Sequence, residues 1–437
     1  MVTKQQILDL VSTYVSQQSK VWTAGKDWVQ YAGPCFDAAE YTASISTILD
    51  GWLVLGKSGL DFERIFPKLV GKHHGVLTNS GSSSNLIMMS ALTSKRLFNL
   101  KAGTKVITPI AGFPTTINPI FQLGFEPLFV DVDLDTLNLN IDQVEQHAKN
   151  GAKVITFAHV LGNPPNMENL MSIVNQYKLI LLEDCCDALG STYNNQPLGS
   201  FGDFASCSFY PAHHITMGEG GFVACKDSHQ ESVIRSFREW GRGCYCVGMK
   251  AGLSQAGSCG SRFSNWLPAL PDEIFDHKYV YDEIGYNLKP IEVQAAMGLE
   301  QLKKLPGIIT TRNRNHRLLV DIFSKYEEYF IIPKATHNSK PSWFAFALTI
   351  KDGAPFKRVD IVKFLESNKI QTRPYFAGNI MLQPAYAGIM DPNSVIANFP
   401  NARKVTTDTF FIGTSPVITP DQVSYIGTIV DQFMQSI

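Results

Sequence analysis

The chain has no long apolar run. Nowhere in its 437 residues does an uninterrupted hydrophobic stretch approach the roughly 20 residues of a bilayer-spanning helix. It also has no basic block: 38 Lys and Arg stand against 39 Asp and Glu, for a formal charge of −1. A nucleic-acid or membrane-surface partner would need an electrostatic footprint that is missing here, so the expected partner is a small molecule. There is no internal repeat and no low-complexity tract, which sets aside solenoids and disordered tails. The opening MVTKQQILDLVSTYVSQQ lacks the basic start and pure apolar block of an export signal; it reads as an amphipathic, polar helix and implies a cytoplasmic protein. Thiols stay reduced there, so the eight cysteines suggest metal or redox chemistry and not a disulfide framework.

What is present fits a soluble α/β enzyme, with 44% hydrophobic and 18% charged residues. The runs GVLTNS, KVITPI, PLFVDVD, KVITFAHVL, KLILLEDCC, FASCSFY and GFVACKD are bounded by turn residues, and several lack alternation, as strands covered on both faces do. Helical patterns lie between them, among them SSNLIMMSALTSKRLF, NMENLMSIVNQY and ESVIRSFREW. The expectation is an α/β fold with a mostly parallel sheet covered by helices. A large domain would occupy residues 1–328, with an irregular Cys-containing insert at about 243–282. PIEVQAAMGLEQLKKL and RNRNHRLLVDIFSKYEEYF read as two further helices. A smaller C-terminal α/β domain would follow at 329–437, with FAFALTIK as strand and RVDIVKFLESN and DQVSYIGTIVDQFMQ as helices.

A pyridoxal-type cofactor needs a phosphate cradle, a carboxylate at its pyridine nitrogen, a ring stacker and a base near its reactive carbon. NSGSSSNLIMM puts Gly81 and three serines where a strand meets a helix, a place that attracts phosphate and equally suits an ordinary N-cap. Asp184, in LLEDCCDALG, ends a buried strand and is either the ring carboxylate or a structural cap. Phe113, in AGFPTTINP, is a stacking ring or a core aromatic. SFYPAHHITMGEGG then supplies two histidines and no lysine.

In this order the stretches resemble the DegT/StrS sugar aminotransferases, a family of fold type I pyridoxal-phosphate enzymes acting on nucleotide-linked keto sugars. The resemblance runs from AGP at 32–34 through the small domain. It implies that Ser82 and Ser83 hold the cofactor phosphate, that Ser208 adds a hydroxyl and that Asp184 binds the pyridine nitrogen. It also implies that Asn287, in GYNLKPIEVQAA, reaches the phosphate of a neighbouring subunit, hence a homodimer. Two positions depart from the family pattern: His213 replaces the lysine, and Asp187 stands where His or Gln is usual.

Lysine there anchors the cofactor as a Schiff base and shuttles protons. Imidazole forms no stable imine, yet it exchanges a proton near neutral pH. The matching cofactor is pyridoxamine 5′-phosphate, the amine form of pyridoxal phosphate, which brings its own nitrogen to a keto sugar; proton removal then favours loss of a sugar hydroxyl over amino transfer. Tyr210 is a candidate contact to cofactor or substrate, and His214 has no assigned role. Arg238, Arg242 and Arg373 are candidates for a substrate diphosphate, with surface ion pairs as the alternative.

Cys186 follows the aspartate motif, and GCYCVGMKAGLSQAGSCGSRF adds Cys244, Cys246 and Cys259. Four such thiolates suit a 2Fe-2S cluster; zinc, or no metal at all, stays open. CDALG, SFYPAHHITMGEGG, REWGRGCYC, SCGSRF and DHKY resemble the iron–sulfur branch of the family, which dehydrates CDP-linked 4-keto-6-deoxyhexoses at C3 on the way to O-antigen 3,6-dideoxysugars. That likeness implies a cluster on Cys186, Cys244, Cys246 and Cys259, fed by a separate NADH-dependent flavin and iron–sulfur reductase. The stretch between Cys246 and Cys259 is longer than the branch pattern. A rival within the family is a cluster-free GDP-sugar 3-dehydratase that recycles its cofactor with glutamate, and a rival of another class is a catalytically silent scaffold. Cys185, Cys207 and Cys225 read as small core residues; Cys35 is unassigned.

Overall fold

The computed structural model describes residues 2–18, 21–244 and 260–437. Each of the seven apolar runs contains one strand of a seven-stranded sheet: β1 His74–Thr78, β2 Lys105–Pro109, β3 Glu126–Val130, β4 Val154–Ala158, β5 Ile180–Asp184, β6 Phe204–Ser208 and β7 Gly221–Cys225. The order is β1-β7-β6-β5-β4-β2-β3. All neighbours are parallel except β7, which runs antiparallel to both β1 and β6. Strands such as β4 and β7 are buried almost throughout, because helices cover both faces.

The helices of this part of the chain include α1 Lys4–Ser16, which packs on α2 Ala38–Asp50 and not on the sheet, then α3 Lys57–Ile65, α4 Gly81–Ala91, α5 Pro114–Gln122, α6 Ile141–Lys149, α7 Met167–Tyr177 and α8 Ser228–Arg238. Short polar side chains start several of them: Asn166 accepts from the Asn169 N–H, and Asp227 from that of Gln230, each satisfying a first-turn donor. A buried carboxylate fixes three elements together. Glu63 of α3 accepts from Arg235 and Arg238 of α8 at 2.9 Å each, and from the Leu77 N–H of β1 at 3.0 Å.

Two helix expectations are corrected. The SSNLIMMSALTSKRLF pattern forms helix only to Ala91, since the chain turns afterwards and Asn99 takes a left-handed φ of 52°. The two patterns from Glu292 onward form one 32-residue helix, α9 Glu292–Phe323, that runs through Pro306. Proline removes a helix hydrogen bond. The buried stripe Gly298, Gln301, Leu305, Ile308, Arg312, His316, Leu319 nevertheless keeps three- and four-residue spacing across it, so packing on both sides outweighs the break.

Beyond α9 a second, antiparallel sheet forms from β8 Phe330–Ile331, β9 Ala345–Ile350, β10 Thr372–Pro374 and β11 Thr409–Gly413, in the order β8-β9-β11-β10. Its own apolar core holds Phe346, Leu348, Ile412 and Val430, and it also takes Val29 and Trp22 from the other end of the chain. In the insert, Phe263–Ser264 pairs with Phe275–Asp276, and Trp266 stacks on His277 at 3.8 Å. Cys185, Cys207 and Cys225 are buried in the sheet. No helix among the described residues is long and apolar enough to cross a membrane.

Candidate active site

The carboxyl ends of β1, β2, β4, β5 and β6 open into one cavity of about 1110 Å³, whose outer wall is formed by 373–377 and 383–386 of the smaller unit. Ligands of open α/β sheets bind in such a crevice. Every strand that the parallel sheet ends here delivers a polar group or a turn to the same place.

Asp184, the last residue of β5, is 4% exposed. Its Oδ2 accepts from Asn85 Nδ2 at 2.8 Å and Thr116 Oγ1 at 2.7 Å, and its Oδ1 accepts from the Cys186 N–H at 3.0 Å. Asn85 is fixed in turn by the Ser206 hydroxyl, 2.6 Å from its Oδ1. The carboxyl group is therefore held in one orientation by donors on both of its oxygens.

At the start of α4, Ser80 is the N-cap and its hydroxyl takes the Ser83 N–H at 3.1 Å. The geometry leaves the Gly81 and Ser82 N–H groups without intrahelical partners, at the positive end of the helix dipole. The Ser83 hydroxyl donates to Asn79 Oδ1 at 2.6 Å, and that of Ser82 to Thr115 Oγ1 at 3.1 Å. Gly81 is required by close approach: a Cβ there would lie 2.4 Å from Ser208 Cβ and 3.1 Å from Cys186 Sγ.

His213 lies on the loop between β6 and β7 with its side chain 16% exposed, and its Nδ1 is 3.4 Å from Asp187 Oδ1. No hydrogen bond reaches that nitrogen among the described residues. The Phe344 ring tilts against the imidazole at 5.3 Å. Tyr210, 48% exposed, and Phe113, 49% exposed, also line the cavity. Phe113 meets Phe376 with the two rings perpendicular at 5.9 Å.

The structure thus brings Gly81, Ser82, Ser83, Phe113, Asp184, Cys186, Asp187, Ser208, Tyr210 and His213 to one cavity, and among the described residues no lysine lines it. Asn287 stands elsewhere, exposed and bridged to the Glu239 backbone. His214 is buried with Nε2 3.0 Å from the Ser342 carbonyl, and burial together with Arg312 holds it well below the usual imidazole range. Two arginine expectations are corrected. Arg238 is buried in ion pairs with Glu63 and Glu239, and Arg242 packs over Trp240 and Tyr279 outside the cavity. Arg373 alone of the three lines it, 4.3 Å over the Tyr31 ring.

Cys186 borders the cavity, and burial, then the neighbouring Asp184, pushes its thiol well up. Cys244 is partly exposed; Cys246 and Cys259 lie outside the described residues. Asn85 and Thr116 escaped the sequence reading. Asn85 carried a signal, an amide within the apolar helical run NLIMM. Thr116 carried none.

Fold and site together define a fold type I, pyridoxal-phosphate-type α/β architecture. The chain belongs to the DegT/DnrJ/EryC1/StrS aminotransferase family, which it matches over residues 34–431. It is 41% identical over 434 residues to the lipopolysaccharide biosynthesis protein RfbH of Salmonella typhimurium, covering 98% of each chain. It is 39% identical to the dTDP-4-dehydro-2,6-dideoxy-D-glucose 3-dehydratase of Saccharopolyspora spinosa, over 99% of this chain and 92% of that one. Among solved structures, the E. coli GDP-4-keto-6-deoxy-D-mannose-3-dehydratase with bound hydrated PLP superposes with a TM-score of 0.78 at 28% identity, covering 92% and 99% of the two chains.

Proposed function

We propose that this chain is a pyridoxamine-phosphate-dependent dehydratase that removes the C3 hydroxyl of a nucleotide-linked 4-keto-6-deoxyhexose. One observation carries the reading: the cavity that holds Asp184 is lined by an imidazole, His213, and by no lysine among the described residues. Two of the relatives above are named as nucleotide-sugar 3-dehydratases, which supports it.

The residues present fit the cofactor. The start of α4, where the absence of a Gly81 side chain brings Ser208 close to the first-turn N–H groups, suits a phosphate, and the fixed Asp184 carboxylate suits a protonated ring nitrogen. Bound there, pyridoxamine phosphate supplies an amine for the sugar carbonyl and a ring that takes up electron density. Ser82, Ser83 and Ser208 hold its phosphate, Phe113 covers the ring, and Asn287 serves the site of a second subunit in a homodimer. With Nδ1 turned toward Asp187, His213 exchanges the proton through Nε2. Asp187 steadies the charge the imidazole acquires, and Tyr210 contacts the substrate.

The finer assignment is a CDP-linked sugar and a 2Fe-2S cluster on Cys186, Cys244, Cys246 and Cys259. A thiol raised as far as that of Cys186 stays protonated unless a metal takes the place of its proton. Dehydration leaves an unsaturated sugar that needs two electrons and two protons to become the 3-deoxy product; a cluster held by these cysteines would supply the electrons one at a time, drawn from an NADH-dependent flavin and iron–sulfur reductase, with the protons coming from His213 and solvent.

The test is anaerobically prepared protein supplied with pyridoxamine phosphate and, in parallel, CDP- and GDP-linked keto sugars, with iron and sulfide counted. Two irons, a visible spectrum lost in Cys186→Ser, and product only with CDP-sugar and reductase are expected. Turnover with glutamate, without iron, establishes the cluster-free GDP-sugar reading. Substrate-dependent chemistry that survives His213→Asn removes the base from the mechanism, and a cofactor-binding protein inert to both sugars is the silent scaffold.

A further inference from the structure

The loop that carries His213 is neither helix nor strand, so its carbonyls have no ladder to satisfy them. For Ala212 and His213 a single side chain fills that role. Arg312, 1% exposed on α9, donates through Nη2 to the carbonyls of Ala212 and His213 at 2.9 Å each, and through Nη1 to the Phe344 carbonyl at 2.9 Å. No carboxylate lies within ion-pair distance of it among the described residues. Burial pushes this guanidinium down to about 10, partly offset by Asp187. A charge buried without a paired carboxylate is costly, and here it faces three carbonyl dipoles, two of them on the segment bearing the base.

Arg312 also joins two sides of the imidazole. Phe344, whose carbonyl it holds, is the residue whose ring lies 5.3 Å from His213. The neighbouring His214 repeats the tie, with Nε2 3.0 Å from the Ser342 carbonyl; a carbonyl only accepts, so His214 is the Nε2–H tautomer and donates. Consecutive histidines therefore divide the work: one ring faces the cavity, and the other, with Arg312, fastens the loop to the 342–344 segment that leads into β9.

We infer that Arg312 is a positioning residue for His213: its planar fork fixes the backbone of the base against Phe344, and so sets where the imidazole stands in the cavity. The inference rests on the dehydratase reading for its kinetic consequence only. A lysine at 312 keeps the charge and loses the fork geometry.

The experiment compares wild type with Arg312→Lys and with Arg312→Gln; the latter keeps two N–H donors and buries no charge. Five quantities are measured: melting temperature, pyridoxamine phosphate affinity by fluorescence, kcat, KM, and the His213 ring signals in ligand-free protein, assigned with His213→Asn. A shift of the base by about an ångström predicts a kcat loss of roughly 10- to 100-fold. KM and cofactor affinity should stay close to wild type, and the His213 signals should broaden or split. Unchanged kcat in either folded variant overturns the inference, as does a parallel loss of kcat, cofactor affinity and melting temperature, which marks a merely structural role. Should the wild type turn over no nucleotide sugar, the dehydratase reading fails by itself. The ring signals still decide for Arg312: sharp, unshifted His213 resonances in a folded variant overturn the clamp.

Discussion

His213 Nδ1 stands 3.4 Å from Asp187 Oδ1, with both side chains largely shielded from water. On the dehydratase reading, in which His213 takes up the proton, a carboxylate at that distance favours the charge so formed, although the contact is not aligned as a hydrogen bond. Asp187→Asn should therefore lower kcat by roughly 10- to 100-fold, a part of the roughly 10²–10⁴ that a positioned general base contributes, with little change in KM. Adding Asp187→Asn to His213→Asn should cost almost nothing more, because the two act as a unit. Steady-state kinetics of the double-mutant cycle checks this; additive losses would separate the two residues.

Gly81 makes a second, steric prediction. Its missing side chain is what lets Ser208 and Cys186 close on the helix start, with a Cβ clash at 2.4 Å and 3.1 Å. Overpacking of this kind costs about 1–3 kcal/mol. Gly81→Ala should lower the melting temperature and weaken pyridoxamine phosphate binding together, since the strain is relieved only by opening the cradle. Fluorescence titration beside a thermal melt reads both; a variant that melts earlier yet binds normally would place the phosphate elsewhere.

The sheet was legible because its strands are short apolar runs bounded by turn residues, and a strand that is buried on both faces has no other composition available to it. The placement of Asp184 and Gly81 at the cavity was legible for the same reason, since a strand end or a helix start fixes position in the crevice, while Ser208 was legible only through the family resemblance. What hides from sequence is long-range pairing. Arg238 looks like any exposed arginine until the fold places Glu63 beside it, and nothing in RNRNH marks Arg312 as the one that turns inward. The two helices read around Pro306 failed similarly, as a local breaker was overridden by a stripe that packs on both sides of it.

The Glu63 cluster should shape stability against pH. Burial pushes this carboxyl up, but Arg235 and Arg238 outweigh burial and hold it below the ordinary 4.5. A depressed folded value means that the unfolded chain takes up the proton first. The contribution is therefore complete above about pH 4.5 and is lost as pH falls through the lower folded value. Glu63→Gln should destabilise by roughly 3–5 kcal/mol near neutrality, leaving two buried guanidinium groups underpaired. It should also flatten the fall in stability on acidification. Urea midpoints measured from pH 7 down to about pH 3.5 test this; a variant as steep as wild type would assign the acid limb to other carboxylates.

Arg373 and Arg238 make opposite predictions from one residue type. Arg373 lines the cavity and rests on the Tyr31 ring, with Nη1 donating at 2.7 Å to the Thr372 carbonyl, so among the described residues the other edge of its fork has no partner and suits a diphosphate. On the proposed reading its removal deletes a substrate contact and no core packing. Arg373→Ala should raise KM for the nucleotide sugar by roughly 10- to 100-fold, the worth of one charge-assisted contact, without shifting the melting temperature. Arg238→Ala should do the reverse, unfolding the protein earlier while the folded fraction keeps its KM, since its guanidinium is spent on Glu63, Glu239 and the Leu77 carbonyl. A normal KM in Arg373→Ala would move the diphosphate away from the β10 wall.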